Sequence, residues 1–366
     1  MAGIRPGPRS AECLTGHSAG TKSSRSGWFD ALPAGGALAH ELTGGILTDF
    51  VERIRDRLMN DLRRVFAGVP EWDLVDFPHH FNCGDSAIWL GEVKIAEELG
   101  IRVASATSSQ MYRRDKLRAN GPVVIHGGGN LGGLYPQHDD LRIRILTDFS
   151  TRPIVQLPQS IEVTNAAGLE RLKRAIGSHR DFTLLVRDRR SLDIARREFY
   201  CRIELVPDAA FALGNLERRP AVEEAVVQAR RDKEASGEQI SGHPTVDWNT
   251  ASILSLRNLG RSAVTAAGKL PVPALTSTLA DSFARQNLRW AIRTLSRGHV
   301  LVTDRLHGHV IATLCGIEHI VVSDRYGKVR ALWETWTQDA PMATFAPTWS
   351  AAETALAERI SRRYAS

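Results

Sequence analysis

The stretch Val123-Val124-Ile125-His126-Gly127-Gly128-Gly129-Asn130 decides how the chain is read. Three β-branched residues in a row suit a short buried strand, and the glycines behind it let a backbone approach a ligand closely. The same pattern, a short apolar run ending in a polar loop, recurs on both sides of it. Residues 74–77 (LVDF), 101–104 (IRVA) and 154–157 (IVQL) join 123–126 in one set of predicted strands. Residues 183–186 (TLLV), 203–206 (IELV), 225–229 (AVVQA), 263–266 (AVTA), 299–303 (HVLVT) and 319–322 (HIVV) make a second. Helical stretches at 86–99, 166–176, 188–198, 277–296, 308–315 and 328–337 lie between them.

Alternating strands and helices imply parallel sheets with helices on both faces. Two sets of similar length imply an α/β protein of two Rossmann-like domains facing a cleft, which also suits a chain of 366 residues. The boundary is expected near 177–182, giving a first domain at 71–177 and a second at 178–350. Residues 1–27, rich in Gly, Ser, Pro and Arg, read as a disordered tail. In the helical extension 28–70, Ile46, Leu47, Phe50, Val51, Ile54, Leu58, Leu62 and Val65 recur at helical spacing. Its arginines make a membrane surface an alternative, but Asp49, Glu52, Asp56 and Asp61 dilute that face and favour core packing. Residues 351–366 read as a closing helix that can cross back to the first domain.

Hydrophobic residues at 43% and charged ones at 24% are ordinary for a soluble globular chain and exclude collagen-like or wholly disordered classes. No run approaches the roughly 18 apolar residues of a membrane span, and the start of the chain carries no apolar signal core. Cys13, Cys83, Cys201 and Cys315 lie far apart without zinc spacing, so they read as reduced thiols of a cytoplasmic protein. The net charge of +6 comes from 47 basic residues, of which seven are lysines and so 40 are arginines. Guanidinium groups grip carboxylate and phosphate with paired hydrogen bonds, which suits small dianions. Basic runs and aromatic-basic motifs for nucleic acid are missing, so nucleic acid is not an expected partner.

Ligands in open parallel sheets sit beyond the carboxyl ends of the strands. Those positions hold Asn82-Cys83-Gly84-Asp85, then Gly127-Gly128-Gly129-Asn130, Pro158-Gln159-Ser160, Arg187-Asp188, Pro207-Asp208 and Asp304-Arg305-Leu306-His307-Gly308-His309. The glycines can free amide donors at a helix start. Asn82 and Asp85 can cap the next helix, and Asp85 can also take a proton from a hydroxyl. Arg187 and Arg305 suit an anion, and His307 can donate or accept a proton near neutral pH. The H-x-H spacing of His307 and His309 admits a metal, yet His126 is the single good further ligand, so no metal is expected and His309 is read as a core residue. His79, His80 and His138 are read as structural.

Taken in order across 75–325, these fragments resemble the polysaccharide pyruvyl transferase family. They are Asn82-Cys83-Gly84-Asp85, Ile125-His126-Gly127-Gly128-Gly129-Asn130, Leu157-Pro158-Gln159-Ser160 and Val186-Arg187-Asp188 with Ser191. Pro207-Asp208-Ala209-Ala210-Phe211, Arg231-Asp232-Lys233-Glu234, Val246-Asp247-Trp248 and Thr303-Asp304-Arg305-Leu306-His307-Gly308 follow. The resemblance implies a fold similar to GT-B glycosyltransferases, with the acceptor on the first domain and the donor on the second. It implies transfer of a pyruvyl group from phosphoenolpyruvate, as co-substrate, to two hydroxyls of a sugar in exopolysaccharide or cell-surface saccharide, with no metal or organic cofactor. Arg187, Arg305 and Ser160 would then bind phosphoenolpyruvate and His307 would be the general acid. Asp85 would be the base, with His126 second in line. Asn82, Gly127, Gly128, Gly129 and Asn130 would cradle acceptor or phosphate. The acceptor can be lipid-linked, at the inner face of the cytoplasmic membrane, with at most peripheral membrane contact. Two rival readings are a nucleotide-sugar glycosyltransferase, with Glu234 or Asp247 gripping the ribose, and a non-catalytic saccharide-binding protein.

Overall fold

The computed structural model describes residues 40–117, 119–232, 234–235, 240–248, 251–269 and 273–365. The expected tail at 1–27 lies outside them, as does 28–39 of the extension. Helix α1 (His40–Val65) brings Phe50, Val51, Ile54, Leu58 and Leu62 into the main core beside Trp72 and Trp89. Its apolar stripe is thus spent on packing rather than on a membrane surface. Arg55 at its polar edge donates to Glu98 at 2.6 and 2.7 Å.

Seven parallel strands follow in one sheet: β1 (Glu71–Val75), β2 (Arg102–Thr107), β3 (Val123–Ile125), β4 (Gly128–Leu131), β5 (Ile154–Ile161), β6 (Phe182–Val186) and β7 (Arg202–Leu205). Their order is β2-β1-β3-β5-β6-β7, with β4 pairing β5 beyond the end of β3. The order reverses between β1 and β3, which opens a crevice at their carboxyl ends. Helices α2 (Cys83–Glu98), α3 (Pro136–Asp148), α4 (Ala166–Ser178) and α5 (Arg189–Glu198) connect the strands.

The second sheet holds β8 (Glu223–Gln228), β9 (Gly298–Thr303), β10 (Glu318–Val322) and β11 (Ala343–Ala346), again parallel, in the order β11-β10-β9-β8. Helices α6 (Ala251–Gly268) and α7 (Pro273–Leu295) join β8 to β9. Helix α8 (Leu306–Leu314) joins β9 to β10, α9 (Lys328–Leu332) joins β10 to β11, and α10 (Trp349–Ala365) closes the chain. The two-sheet parallel α/β architecture matches the expectation from sequence.

Three details differ. The segment 177–182 is not a boundary, because β6 and β7 pair onto β5 and extend the first sheet; the chain reaches the second sheet only after a 3₁₀ turn at Ala209–Leu213. Residues 263–266 lie within α6, where Val264 and Ala267 are buried one helical turn apart. An apolar tetrapeptide has too few residues for its period to tell helix from strand. Helix α10 does not cross back: Trp349, Ala352 and Leu356 pack on Val300, Val302, Ile320 and Val322 of the second sheet.

Helix α2 is buried on all sides, with Cys83, Gly84, Ser86, Ala87, Ile88, Trp89, Gly91 and Glu92 inside. It packs against the Ala209–Leu213 turn, α7 and α8, so elements following both sheets meet on it. Trp89 Nε1 donates to Asp281 at 2.8 Å and Asn287 Nδ2 donates to Ser86 Oγ at 2.9 Å. A Cβ at Gly91 would overlap the carbonyl oxygen of Ala209, a backbone atom that cannot swing aside. Gly91→Ala is therefore expected to lose about 1–3 kcal/mol in urea unfolding. Gly177→Ala, where a Cβ meets nothing within 4 Å, is expected to be neutral or to gain up to about 1 kcal/mol.

Candidate active site

The glycine stretch is not the loop that its composition suggests. After a break at His126-Gly127 the chain resumes as β4, with Gly128 opposite Gln159. Buried side chains satisfy the backbone at the break: the Gly127 amide donates to Glu92 Oε1 at 2.7 Å, and the His126 carbonyl accepts from Gln156 Nε2 at 2.8 Å. Gly127 and Gly128 thus offer no helix-start amides, since α3 begins only at Pro136. Gly129 and Asn130 do reach the cavity wall. A Cβ at Gly129 would fall 2.9 Å from Arg187 Nη2, so glycine there lets the guanidinium approach.

The cavity, of about 330 Å³, is lined by strand ends of both sheets, including Arg187, Arg230, Arg305 and His307 with Asn82, Asp85 and Lys328. A second cavity of about 560 Å³ lies over the crevice between β1 and β3 and includes Asp76, Phe77, His79 and His126. His80, Asp85, Asn130, Gln137 and His138 line both, so the two are contiguous.

A buried chain of hydrogen bonds sets the first cavity's charge. Asp188 caps α5 by accepting from the Ser191 amide, and Ser160 Oγ donates to its other oxygen at 2.6 Å. Arg187 Nε donates to Ser160 Oγ at 2.9 Å, and Arg187 Nη1 donates to Asp208 Oδ2 at 2.6 Å. His307 Nε2 lies 3.3 Å from that same oxygen. Burial would raise the Asp208 carboxyl, but His307 and Arg187 outweigh it and hold it far below the usual carboxylate range. Ser160 is 1% exposed and stands behind Arg187. It positions the arginine and does not line the cavity, contrary to its expected role as a direct ligand.

Asn82 caps α2 by accepting from the Gly84 amide at 3.0 Å, while its Nδ2 donates to Asp85 Oδ2 at 2.9 Å. Burial works against the Asp85 carboxylate, yet His80, His307, His126 and Arg187 prevail and lower its pKa, so the group stays ionised. Arg305 Nη2 donates to Asp247 Oδ1 at 3.0 Å, its guanidinium lies 6.0 Å from the Trp248 ring, and its Nε is buried without a partner. Lys328 Nζ reaches Glu234 Oε2 at 2.9 Å, and Tyr135 and Arg230 take the other Glu234 oxygen at 2.9 and 3.0 Å. Glu234 and Asp247 thus both hold cations of the site.

His126 Nδ1 lies 2.7 Å from Glu92 Oε2. Burial disfavours its charged form, but the Glu92 carboxylate overcomes this and raises its pKa. Burial raises the Glu92 carboxyl too, so the pair retains a proton and His126 is poorly suited to be a base. His80 and His138, read from sequence as structural, sit at the cavities. His138 Nδ1 pairs at 2.7 Å with Asp76, whose φ of 76° is unusual for a non-glycine residue. His309 does turn inward: its Nδ1 lies 2.7 Å from His319 Nε2 and its Nε2 lies 2.7 Å from Thr337 Oγ1, away from His307. Sequence reasoning missed Glu92, Lys328, His80, His138 and Tyr135, and Asp208 entered only as part of a motif.

A family model described as polysaccharide pyruvyl transferase matches residues 82–326. The chain belongs to that family. Pyruvyl transferase 1 of Schizosaccharomyces pombe is 31% identical over 291 residues, covering 75% of this chain and 71% of that protein. A Bacillus subtilis protein named "Putative pyruvyl transferase EpsO" is 28% identical over 278 residues, covering 73% of this chain and 85% of that one. The crystal structure of a functionally uncharacterized protein from Klebsiella pneumoniae aligns with a TM-score of 0.55 at 18% identity, over 81% of this chain and 99% of that one, which supports the fold. The chain is thus a transferase of the pyruvyl transferase type, in polysaccharide biosynthesis. Among the described residues, no helix is long and apolar enough to cross a membrane.

Two predictions follow from the packing and charge of the site. A Cβ at Gly84 would lie 2.6 Å from His307 Cβ, so Gly84→Ala displaces that ring. Turnover is expected to fall by about 100-fold, the size of loss that a shift of around 1 Å at an active-site wall can cause, while circular dichroism stays unchanged. The Asp304 carboxyl, which accepts from the Arg230 amide at 2.9 Å, is pushed up to about 6 by burial. The folded state then holds this proton more tightly than the unfolded state, whose value is about 4. Its contribution to stability therefore falls as pH rises from about 4 to about 6. Urea midpoints across that window should decline less in Asp304→Asn than in the wild type.

Proposed function

We propose that this transferase moves the pyruvyl group of phosphoenolpyruvate onto two hydroxyls of a saccharide, forming a cyclic ketal and releasing inorganic phosphate. One observation carries the reading: Arg187, Arg305 and Lys328 converge on a cavity of about 330 Å³ that continues, past Asp85, into one of about 560 Å³. The first suits a small donor with a phosphate and a carboxylate; the second suits a sugar. Asp208 and Asp247 orient the two guanidiniums without using all five donors that each carries. Arg187 keeps Nη2 against Gly129 at the cavity wall, and Arg305 keeps an unpartnered Nε.

In this reading His307 delivers a proton to the methylene carbon of phosphoenolpyruvate. The neighbouring carbon becomes electron-poor and bonds to the first acceptor hydroxyl oxygen, whose proton passes to Asp85. The carbon–oxygen bond to phosphate then breaks. The second hydroxyl bonds to the same carbon, its proton leaves with the phosphate, and the proton on Asp85 returns to His307. An ionised Asp85 on the wall that both cavities share, with His307 on the wall of the first, supports this division of labour. The acceptor in this proposal is a unit of cell-surface saccharide, free or lipid-linked.

Thermal unfolding with phosphoenolpyruvate, set against a panel of nucleotide sugars, tests the donor. Phosphoenolpyruvate at 100 times its Kd is expected to add about 2.7 kcal/mol to the native state, and Arg305→Ala to abolish the gain. Stabilisation by a nucleotide sugar alone would overturn the proposal.

A further inference from the structure

Glu92 lies in the third turn of α2 and is 0% exposed, outside the walls of both cavities. A carboxylate in such a place is costly unless fully partnered. Its two oxygens are both used on the break between β3 and β4, one on the Gly127 amide and one on His126 Nδ1, each at 2.7 Å. The His126 backbone is pinned as well: its amide donates to the Val75 carbonyl at 2.9 Å, and its carbonyl accepts from Gln156 and Gln159 at 2.8 and 3.2 Å. The other ring nitrogen, Nε2, is buried with no hydrogen-bond partner, in a residue that forms part of the wall of the second cavity. A buried ring nitrogen left without a partner is costly, and a ligand oxygen in that cavity would supply one.

We infer that Glu92 is a positioning residue for the saccharide acceptor: by holding Nδ1 it fixes the His126 ring so that Nε2 hydrogen-bonds an acceptor oxygen beside Asp85. This rests on the pyruvyl-transfer reading for the identity of the acceptor. The ring is held by Glu92 and faced by further charge: Asp85 from the same helix and Asp76 from the end of β1 both favour its protonated form. His79, His80, His138, Asp140 and Arg144 are the other titratable groups that line that cavity. With the proton retained in the Glu92–His126 pair, Nε2 carries a hydrogen and acts as a donor. Asp85 is then the proton acceptor for the attacking hydroxyl, and His126 holds the sugar. The arrangement is that of a buried carboxylate holding a proton on an imidazole.

The test uses the full chain with phosphoenolpyruvate and a panel of methyl hexopyranosides as acceptors, following phosphate release between pH 6 and 9. Glu92→Ala is expected to raise the acceptor KM by at least about tenfold, the value of one hydrogen bond to a charged group, with the phosphoenolpyruvate KM unchanged. Glu92→Gln keeps the shape, can donate to Nδ1 and leaves the hydrogen on Nε2, so it should recover most of that loss. Equal loss in both variants, or a rise confined to the phosphoenolpyruvate KM, would overturn the inference. In parallel, the His126 ring is titrated by proton NMR, with its signal identified through His126→Gln. It should hold its proton above the ordinary histidine range in the wild type and lose that elevation in Glu92→Gln. A ring that titrates identically in both would also overturn the inference. If the wild type gives neither phosphate release nor stabilisation by phosphoenolpyruvate, pyruvyl transfer is what fails, and the titration still judges the Glu92–His126 contact.

Discussion

Everything in the site depends on helix α2 being approached closely on two faces. Gly91 lets the Ala209 backbone close on one turn, and Gly84 lets the His307 ring close on the first turn. The first approach seats the loop that carries Asp208; the second brings a histidine from the second sheet beside Asp85. Close packing turns these approaches into fixed geometry, because an interior at crystal-like density has no slack to absorb an added methyl group. The same helix supplies Glu92 to the β3–β4 break and Asn82 to the Asp85 carboxylate. One buried helix thus places groups on the walls of both cavities.

Electrostatics completes what packing begins. Two arginines aimed into one small cavity repel each other, and each is held by a carboxylate: Arg187 by Asp208 and Arg305 by Asp247. Such pairing keeps a buried guanidinium charged and directional, at the cost of some donors that a substrate would otherwise use. Asp208 serves Arg187 and the His307 ring at once, so an anion bound at the arginine is felt at the histidine through a shared oxygen. Lys328 performs a similar task between Glu234 and the Gly129 carbonyl, tying the glycine strand to α9.

Much of this was legible in the sequence because strand ends are legible. Short β-branched runs locate the strands, and the residues just beyond them, Asp85, Arg187, Arg305 and His307, line the cavity. The fold class followed from the same alternation. What stayed hidden depends on partners distant in sequence. Ser160 and Arg187 look alike as strand-end polar residues, but the first stands behind the second. The glycine run looked like a loop because glycine disfavours strands; the side chains of Glu92, Gln156 and Gln159 that stabilise it as a strand come from elsewhere. Glu92 did leave a signal: Ala87, Ile88, Trp89 and Leu90 make α2 apolar on all sides, and a carboxylate in such a helix needs a buried partner. His138 left none, since its pairing depends on the left-handed backbone of Asp76.

The most direct measurement is turnover in deuterium oxide with phosphoenolpyruvate and a saccharide acceptor, reading the product by mass spectrometry and proton NMR. Protonation of the methylene carbon followed by closure on two hydroxyls should give a ketal whose methyl group carries a single deuterium, together with inorganic phosphate. A product that keeps its carbon–carbon double bond as an enol ether, or a glycosidic product formed from a nucleotide sugar instead, would contradict it.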